Sequence, residues 1–146
     1  MSHEPPPPLV DWQQVRTKLV QAEPGLYELE PGGALALDLD AEGWMLELLP
    51  DGQLICQTGM DLEDLKSLLS EGTCEDLPTD ELAKQAKTLM NRTVSKYRPL
   101  LLQSGFTERT DMNEHFVAVQ FSRPVDLQKL ETVFDLLRWC RQQLRA

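Results

Sequence analysis

The sequence predicts an α+β domain: an antiparallel sheet of about five strands, preceded by one helix, interrupted by a two-part helical insert and closed by a long helix (α-β-β-β-α-α-β-β-α). Three observations predict it. Residues 26–58 repeat with period two, residues 79–102 carry apolar side chains at helical spacing, and residues 115–144 pass from the first period to the second at a proline. In that last stretch His115, Val117, Val119 and Phe121 share one side of a strand. Arg123-Pro124-Val125 stops the ladder, because proline has no N–H to give and restricts the residue before it. Asp126 is the expected N-cap of a helix of about five turns, with Leu127, Leu130, Val133, Phe134, Leu137, Cys140 and Leu144 on its apolar stripe.

Residues 1–9 are the expected lead-in and residues 10–146 the domain. Four consecutive prolines, Pro5 to Pro8, favour an extended, backbone-solvated segment that contributes no packed structure and is dispensable to folding. Asp11 suits the N-cap of a first helix whose Trp12, Val15, Leu19 and Ala22 share a face, and Glu23-Pro24-Gly25 ends it. Then Leu35, Leu37 and Leu39, next Trp44, Leu46 and Leu48, and next Leu54, Cys56 and Thr58 alternate with smaller or polar residues. The breaks at 40–43 and 50–52 have the length and composition of hairpin turns, so a three-stranded meander is expected, with a short strand before it at 26–29 as an option. Asp61 caps a short helix through Leu62, Leu65, Leu68 and Leu69, and residues 71–78 form an acidic loop. Thr79 caps a helix with Leu82, Ala86, Leu89, Met90, Thr93, Val94 and Tyr97 on its apolar arc. Pro99 interrupts that helix, residues 100–102 can add a turn, and Gly105 suits a left-handed terminus. A strand over 106–110 is expected to pair with 115–121 across a turn at 111–113.

Of the 146 residues, 41% are hydrophobic and 26% charged, enough apolar mass for a real core without staples. No apolar run approaches the ~18 residues that span a bilayer. Three cysteines, Cys56, Cys74 and Cys140, with no CxxC pair suggest reduced thiols in a cytoplasmic protein and neither a disulfide framework nor a zinc site. The net charge of −10 argues against nucleic acid and anionic membrane as partners. It is unevenly spread: residues 1–81 carry 18 acids against three bases, residues 82–146 six acids against eleven bases. Either the two halves face each other, or a basic face is kept for a partner.

Several clusters invite a chemical reading and none sustains one. His115 lacks cysteine, serine or acidic partners at ligand or general-base spacing. Asp38, Asp40 and Glu42 lack the further oxygens and closing glutamate of a calcium loop. Gly32-Gly33 leads into a strand, where a phosphate cradle needs a helix. Ser104 and Ser122 stand in no nucleophile elbow. No catalytic residue, cofactor or metal is expected. Lys84, Lys87, Asn91, Ser95 and Arg98 make a polar, basic stripe without the interleaved aromatics of nucleic-acid binding.

The last helix is more informative. Trp139 falls ~160° from the core stripe and shares that side with Gln128, Thr132, Leu136 and Gln143, all uncharged. A tryptophan among neutral residues there fits a protein-binding surface of Trp139, Leu136, Thr132 and Gln143. The alternative is that Trp139 packs under the N-terminal segment or first helix.

The order helix, three strands, helical insert, two strands, helix, with a pI near 4.6, resembles the class I type III secretion chaperones and the YbjN-like domains. The first helix over 11–22, the strands over 35–39 and 44–48 and the closing unit 116–144 carry the resemblance, which spans about residues 10–145. The helical insert over 62–102 is longer than the family's usual single helix. The resemblance implies a dimeric, non-enzymatic protein that holds an extended client segment on apolar patches. The functional expectation is therefore a chaperone, adaptor or assembly factor that binds another protein, contacting it through the sheet face its own helices leave open and through Trp139. The alternative is a small-molecule-sensing or regulatory domain with an enclosed pocket between helix and sheet.

Overall fold

The computed structural model describes residues 11–39, 43–70 and 79–144. The chain runs α1 (Trp12–Ala22), β1 (Tyr27–Glu28), β2 (Leu35–Asp38), β3 (Met45–Leu48), β4 (Gln53–Asp61), α2 (Leu62–Ser70), α3 (Thr79–Val94), α4 (Arg98–Gln103), β5 (Thr107–Met112), β6 (Phe116–Pro124) and α5 (Leu130–Gln143). All neighbouring strands are antiparallel, in the order β1-β2-β3-β4-β6-β5. The fold is α+β as the sequence predicts, with six strands where five are expected. The added strand is β1, whose two residues pair with Ala36 and Leu35. The turn at 100–102 is a helix of its own, α4, with Pro99 in its first turn, where a missing N–H costs nothing.

The register separates the two faces of the sheet. Leu35, Leu48, Leu54 and Arg123 lie in one cross-strand row, and Leu37, Leu46, Cys56 and Phe121 in the next. These apolar residues are buried and join Val15 and Leu19 of α1, Leu65 of α2, Met90 and Val94 of α3, Leu101 of α4, and Val133 and Leu137 of α5 in one core. Trp44 anchors it, edge-on to Tyr97 at 5.5 Å and tilted over Phe121 at 6.1 Å. The opposite face, with Tyr27, Met45, Glu47, Gln57, Phe116 and Gln120, is half-buried or exposed. Ala36 is its buried exception, small and flanked by Tyr27 and Glu47.

Turn chemistry fixes the hairpins. Gly52 (φ 90) donates its N–H to Leu49 O and accepts from Val125 N at 2.7 Å. A Cβ there would meet Val125 O at 2.9 Å, so only glycine lets the β3–β4 turn lie against the end of β6. Asp11 caps α1 by accepting from Gln13 N, and Asp61 accepts from Glu63 N in the first turn of α2.

Several local expectations need correction. The ladder is not stopped at Arg123: it pairs with Leu54, and Pro124, the last residue of β6, with Gln53. Asp126 does not cap α5: its side chain accepts from Gln128 N, its carbonyl from Lys129 N, and the helix begins four residues later. A side chain that closes its own turn first cannot also cap a helix. The β5–β6 turn lies at 113–115 because Asn113 Oδ1 accepts both His115 N and Phe116 N, which extends β5 through Met112. His115 is thus an exposed turn residue, with its carbonyl accepting from Leu62 N. Ala22, expected on the buried face of α1, is exposed. The basic stripe is broken, because α3 ends at Val94 and Arg98 opens α4. The side chains of Leu68, Leu69 and Thr79, the residues 1–10, 40–42 and 71–78, and with them Cys74, lie outside what is described.

The charged halves sit side by side across the sheet. Arg16 pairs with Glu28 within the acidic half, and Arg98 with Glu108 and Arg109 with Asp111 within the basic half. Among the described residues one ion pair, Arg141–Glu23 at 3.0 Å, joins the two.

Val119, 2% exposed, pairs with Thr58 and Thr110 under α3. Val119→Asp would bury a carboxylate without a partner, at a cost of several kcal/mol. The expected outcome is loss of cooperative thermal unfolding by circular dichroism. A soluble, cooperatively melting variant would contradict this register.

Candidate protein-binding groove

Concave surfaces lie on both sides of the sheet. The first is the open face. Gln120 Nε2 donates to Gln57 Oε1 at 2.8 Å, Gln57 Nε2 to Glu47 Oε2 at 3.4 Å, and Tyr27 OH to Asp38 Oδ1 at 3.0 Å. These bonds knit the polar side chains to each other. Gly59 and Ala118, opposite one another, leave a shallow depression of about 540 Å³ rimmed by Met45 and the exposed Phe116.

The second surface is a groove of about 680 Å³ where the end of β6 meets α5. Pro124 and Val125 form one wall and Thr132, Leu136 and Trp139 of α5 the other. Arg123 closes one end. Its Nη1 donates to Ser104 O at 2.6 Å and its guanidinium lies 5.9 Å from the Phe106 ring, which ties the end of β6 to the end of α4. Two carboxylates, Asp126 and Asp135, mark the rim. The groove therefore combines the apolar side chains of Pro124, Val125, Leu136 and Trp139 with two carboxylates and one guanidinium.

Three of the four residues singled out from the sequence, Thr132, Leu136 and Trp139, line this groove together. Gln143 is half-buried and not among its lining residues, and Gln128 precedes the helix. Trp139 is neither open to water on a far face nor part of the core. It is half-buried, with Leu136, against the margin of the core. Pro124, Val125 and Arg123 complete the groove, and helical periodicity missed them because Arg123 and Pro124 end β6 and Val125 follows it, all before α5 begins. The signal available was the proline itself, which guarantees a wall without backbone donors.

The other clusters assemble nothing comparable. Arg98 grips Glu108 through two hydrogen bonds of 2.7 and 3.0 Å and reaches Asn91 at 3.0 Å, which fastens α4 to β5. The cleft between α3 and β5–β6, lined by Met90, Val117 and Val119, holds about 180 Å³, below the roughly 300–1,000 Å³ of small-molecule sites. No protein family, curated protein or solved structure was found to match this chain.

Cys56 on β4 and Cys140 on α5 are free and buried. Burial pushes both thiols up from the ordinary 9.0, Cys140 to about 12; the charge on Cys140 adds to the effect at Cys56, and Arg123 opposes it at Cys140. At neutral pH neither supplies a nucleophilic thiolate. The folded chain keeps these protons above pH 9, where the unfolded chain sheds them. The thiols' contribution to stability is thus whole below pH 9 and is lost as the pH rises towards about 12. The slope reaches ~1.4 kcal/mol per pH unit for each thiol. Thermal melts should fall steadily from about pH 8 to about pH 11, and Cys140→Ala should flatten the fall.

Proposed function

We propose that this chain is a non-enzymatic protein-binding module, a small acidic chaperone, adaptor or assembly factor of the cytoplasm. It holds an extended segment of another protein in the groove between β6 and α5. The observation that carries the reading is the placement of Trp139, half-buried beside Leu136 and facing the Pro124–Val125 wall. Large amphipathic rings on a rigid floor are the usual anchors of protein recognition. The element order, with a helix ahead of the meander and a strand–helix unit closing it, supports the same reading through its resemblance to type III secretion chaperones and YbjN-like domains. A homodimer belongs to this proposal too, in keeping with that resemblance.

The net charge of −10 keeps such a protein soluble while it carries exposed apolar surface. Affinity comes from burial of apolar area at roughly 25 cal/mol per Å², less the cost of ordering the client. Arg123 is held at the groove by donating from Nη1 to Ser104 O and from Nε to Pro124 O.

Trp139→Ala should weaken association by on the order of 2 kcal/mol, as loss of an aromatic anchor typically does. The measurement is sedimentation and capture with a reduced, carboxymethylated, permanently unfolded test protein, alongside thermal melts. Folding should suffer less than binding, since Leu137 and Val133 stay in place. Intact association with a collapsed melt would make Trp139 a core residue and end the proposal.

A further inference from the structure

We propose that the open face of the sheet takes the same face of a second copy of this chain, with the two-fold axis running along β4. This names the contact of the homodimer proposed above and rests on that part of the reading alone. The β6–α5 groove has no share in it.

Three observations point to this face and this occupant. The first is that its polar side chains already satisfy one another. Gln120 donates to Gln57, Gln57 to Glu47 and Tyr27 to Asp38. Arg109 donates to Asp111 Oδ1 from Nε at 3.2 Å and from Nη2 at 2.8 Å. Groups bonded laterally lose little when water is removed, whereas groups bonded only to water would be left unsatisfied. The face can be covered without orphaning its own donors.

The second is the order of charge across it. The register sets Asp38, Met45, Gln57, Gln120 and Arg109 in one row, on β2, β3, β4, β6 and β5. An acid stands at one end of the row and a base at the other, with Gln57 in the middle. Half a turn about an axis along β4 lays the second copy's β5 across β2 and its β6 across β3. Arg109 of each copy then meets Asp38 of the other, and Met45 meets Gln120. In the neighbouring row the half-buried Ile55 meets its own counterpart. Asp38 and Arg109 are both exposed, and among the described residues Asp38 Oδ2 and Arg109 Nη1 have no partner within the chain. The other acids of the face stay occupied: Glu47 with Gln57, Asp111 with Arg109, and Asp61 with the first turn of α2.

The third is area. The five overlapping strands hold four, four, nine, nine and six residues. At ~4.8 Å per strand and ~3.4 Å per residue they offer about 500 Å² on each copy. The pair then covers about 1,000 Å², the lower end of a specific interface, so the dimer forms and parts at micromolar concentrations. The contact is isologous and therefore closes at two copies. It leaves α5, on the other side of the sheet, uncovered.

The test is sedimentation of the whole chain against concentration. The wild type should pass from 16.6 kDa to twice that mass over about 1–100 μM. Asp38→Arg sets base against base at both ends of the row, and Arg109→Asp sets acid against acid. Each variant should weaken self-association roughly tenfold or more, with thermal melts like the wild type because both positions are exposed. An equal mixture of the two should associate like the wild type, since the base placed at position 38 of one meets the acid placed at position 109 of the other. Wild-type association in either variant alone, or no recovery on mixing, would assign the dimer to another surface and overturn the proposal. A wild type that stays at 16.6 kDa throughout would end both the face and the homodimer. Capture of the unfolded test protein reads the groove separately and should be unchanged in both variants.

Discussion

The pairing of β4 with β6 is the constraint from which the rest of this structure follows. Nine residue pairs, from Gln53↔Pro124 to Asp61↔Phe116, join strands whose centres, Gln57 and Gln120, are 63 positions apart. The other strand pairings are each local to one side of that seam. β3, β2 and β1 are added by hairpins next to β4, and β5 by a hairpin next to β6. The helices α2, α3 and α4 are the loop that the seam closes. Closing so long a loop costs little more than closing a shorter one, but it delays folding until the distant partner arrives. Gly59 permits the close approach at the centre, since a Cβ there would meet Val117 O at 3.2 Å and Ala118 Cβ at 3.3 Å.

Much of this was legible in the sequence, for a physical reason. Wherever one face of a strand is buried, alternation is enforced, and Leu35–Leu37, Leu46–Leu48, Leu54–Cys56 and Val117–Val119–Phe121 all declare their side. Asp11 and Asp61 read correctly as caps because no competing acceptor geometry lies nearby. Asp126 misled because its side chain and carbonyl close a turn of their own before α5 begins. β1 was only an option because two residues, both exposed, carry no period. The β5–β6 turn shifted because Asn113, a single side chain with two bonds, outweighed the apparent turn residues Asp111 and Met112.

The candidate site was half legible. Helical geometry alone grouped Thr132, Leu136 and Trp139, which do line one groove. It could not show what faces them, since Pro124, Val125 and Ser104 come from other elements and meet α5 only in three dimensions. It also set Trp139 on the side of α5 opposite the core stripe, whereas Trp139 and Leu136 are partly buried and pack against the core. Trp44, Tyr97 and Phe121 pack against one another where helix meets sheet, edge-on in one pair and tilted in the other.

The margins of the sheet carry a last consequence. One ends in β1, only two residues long; the other is β5, which presents Glu108, Arg109 and Asp111. A passing strand gains too few backbone bonds at the first, and at the second meets charges already bound to Arg98 or to each other. Neither margin is a template for zipping. For the binding role proposed above, such margins would keep the chain from joining an extended segment, or its own copies, into a growing ribbon. In the proposed role, recognition would then rest on side chains, which let go more readily than a ladder of amides.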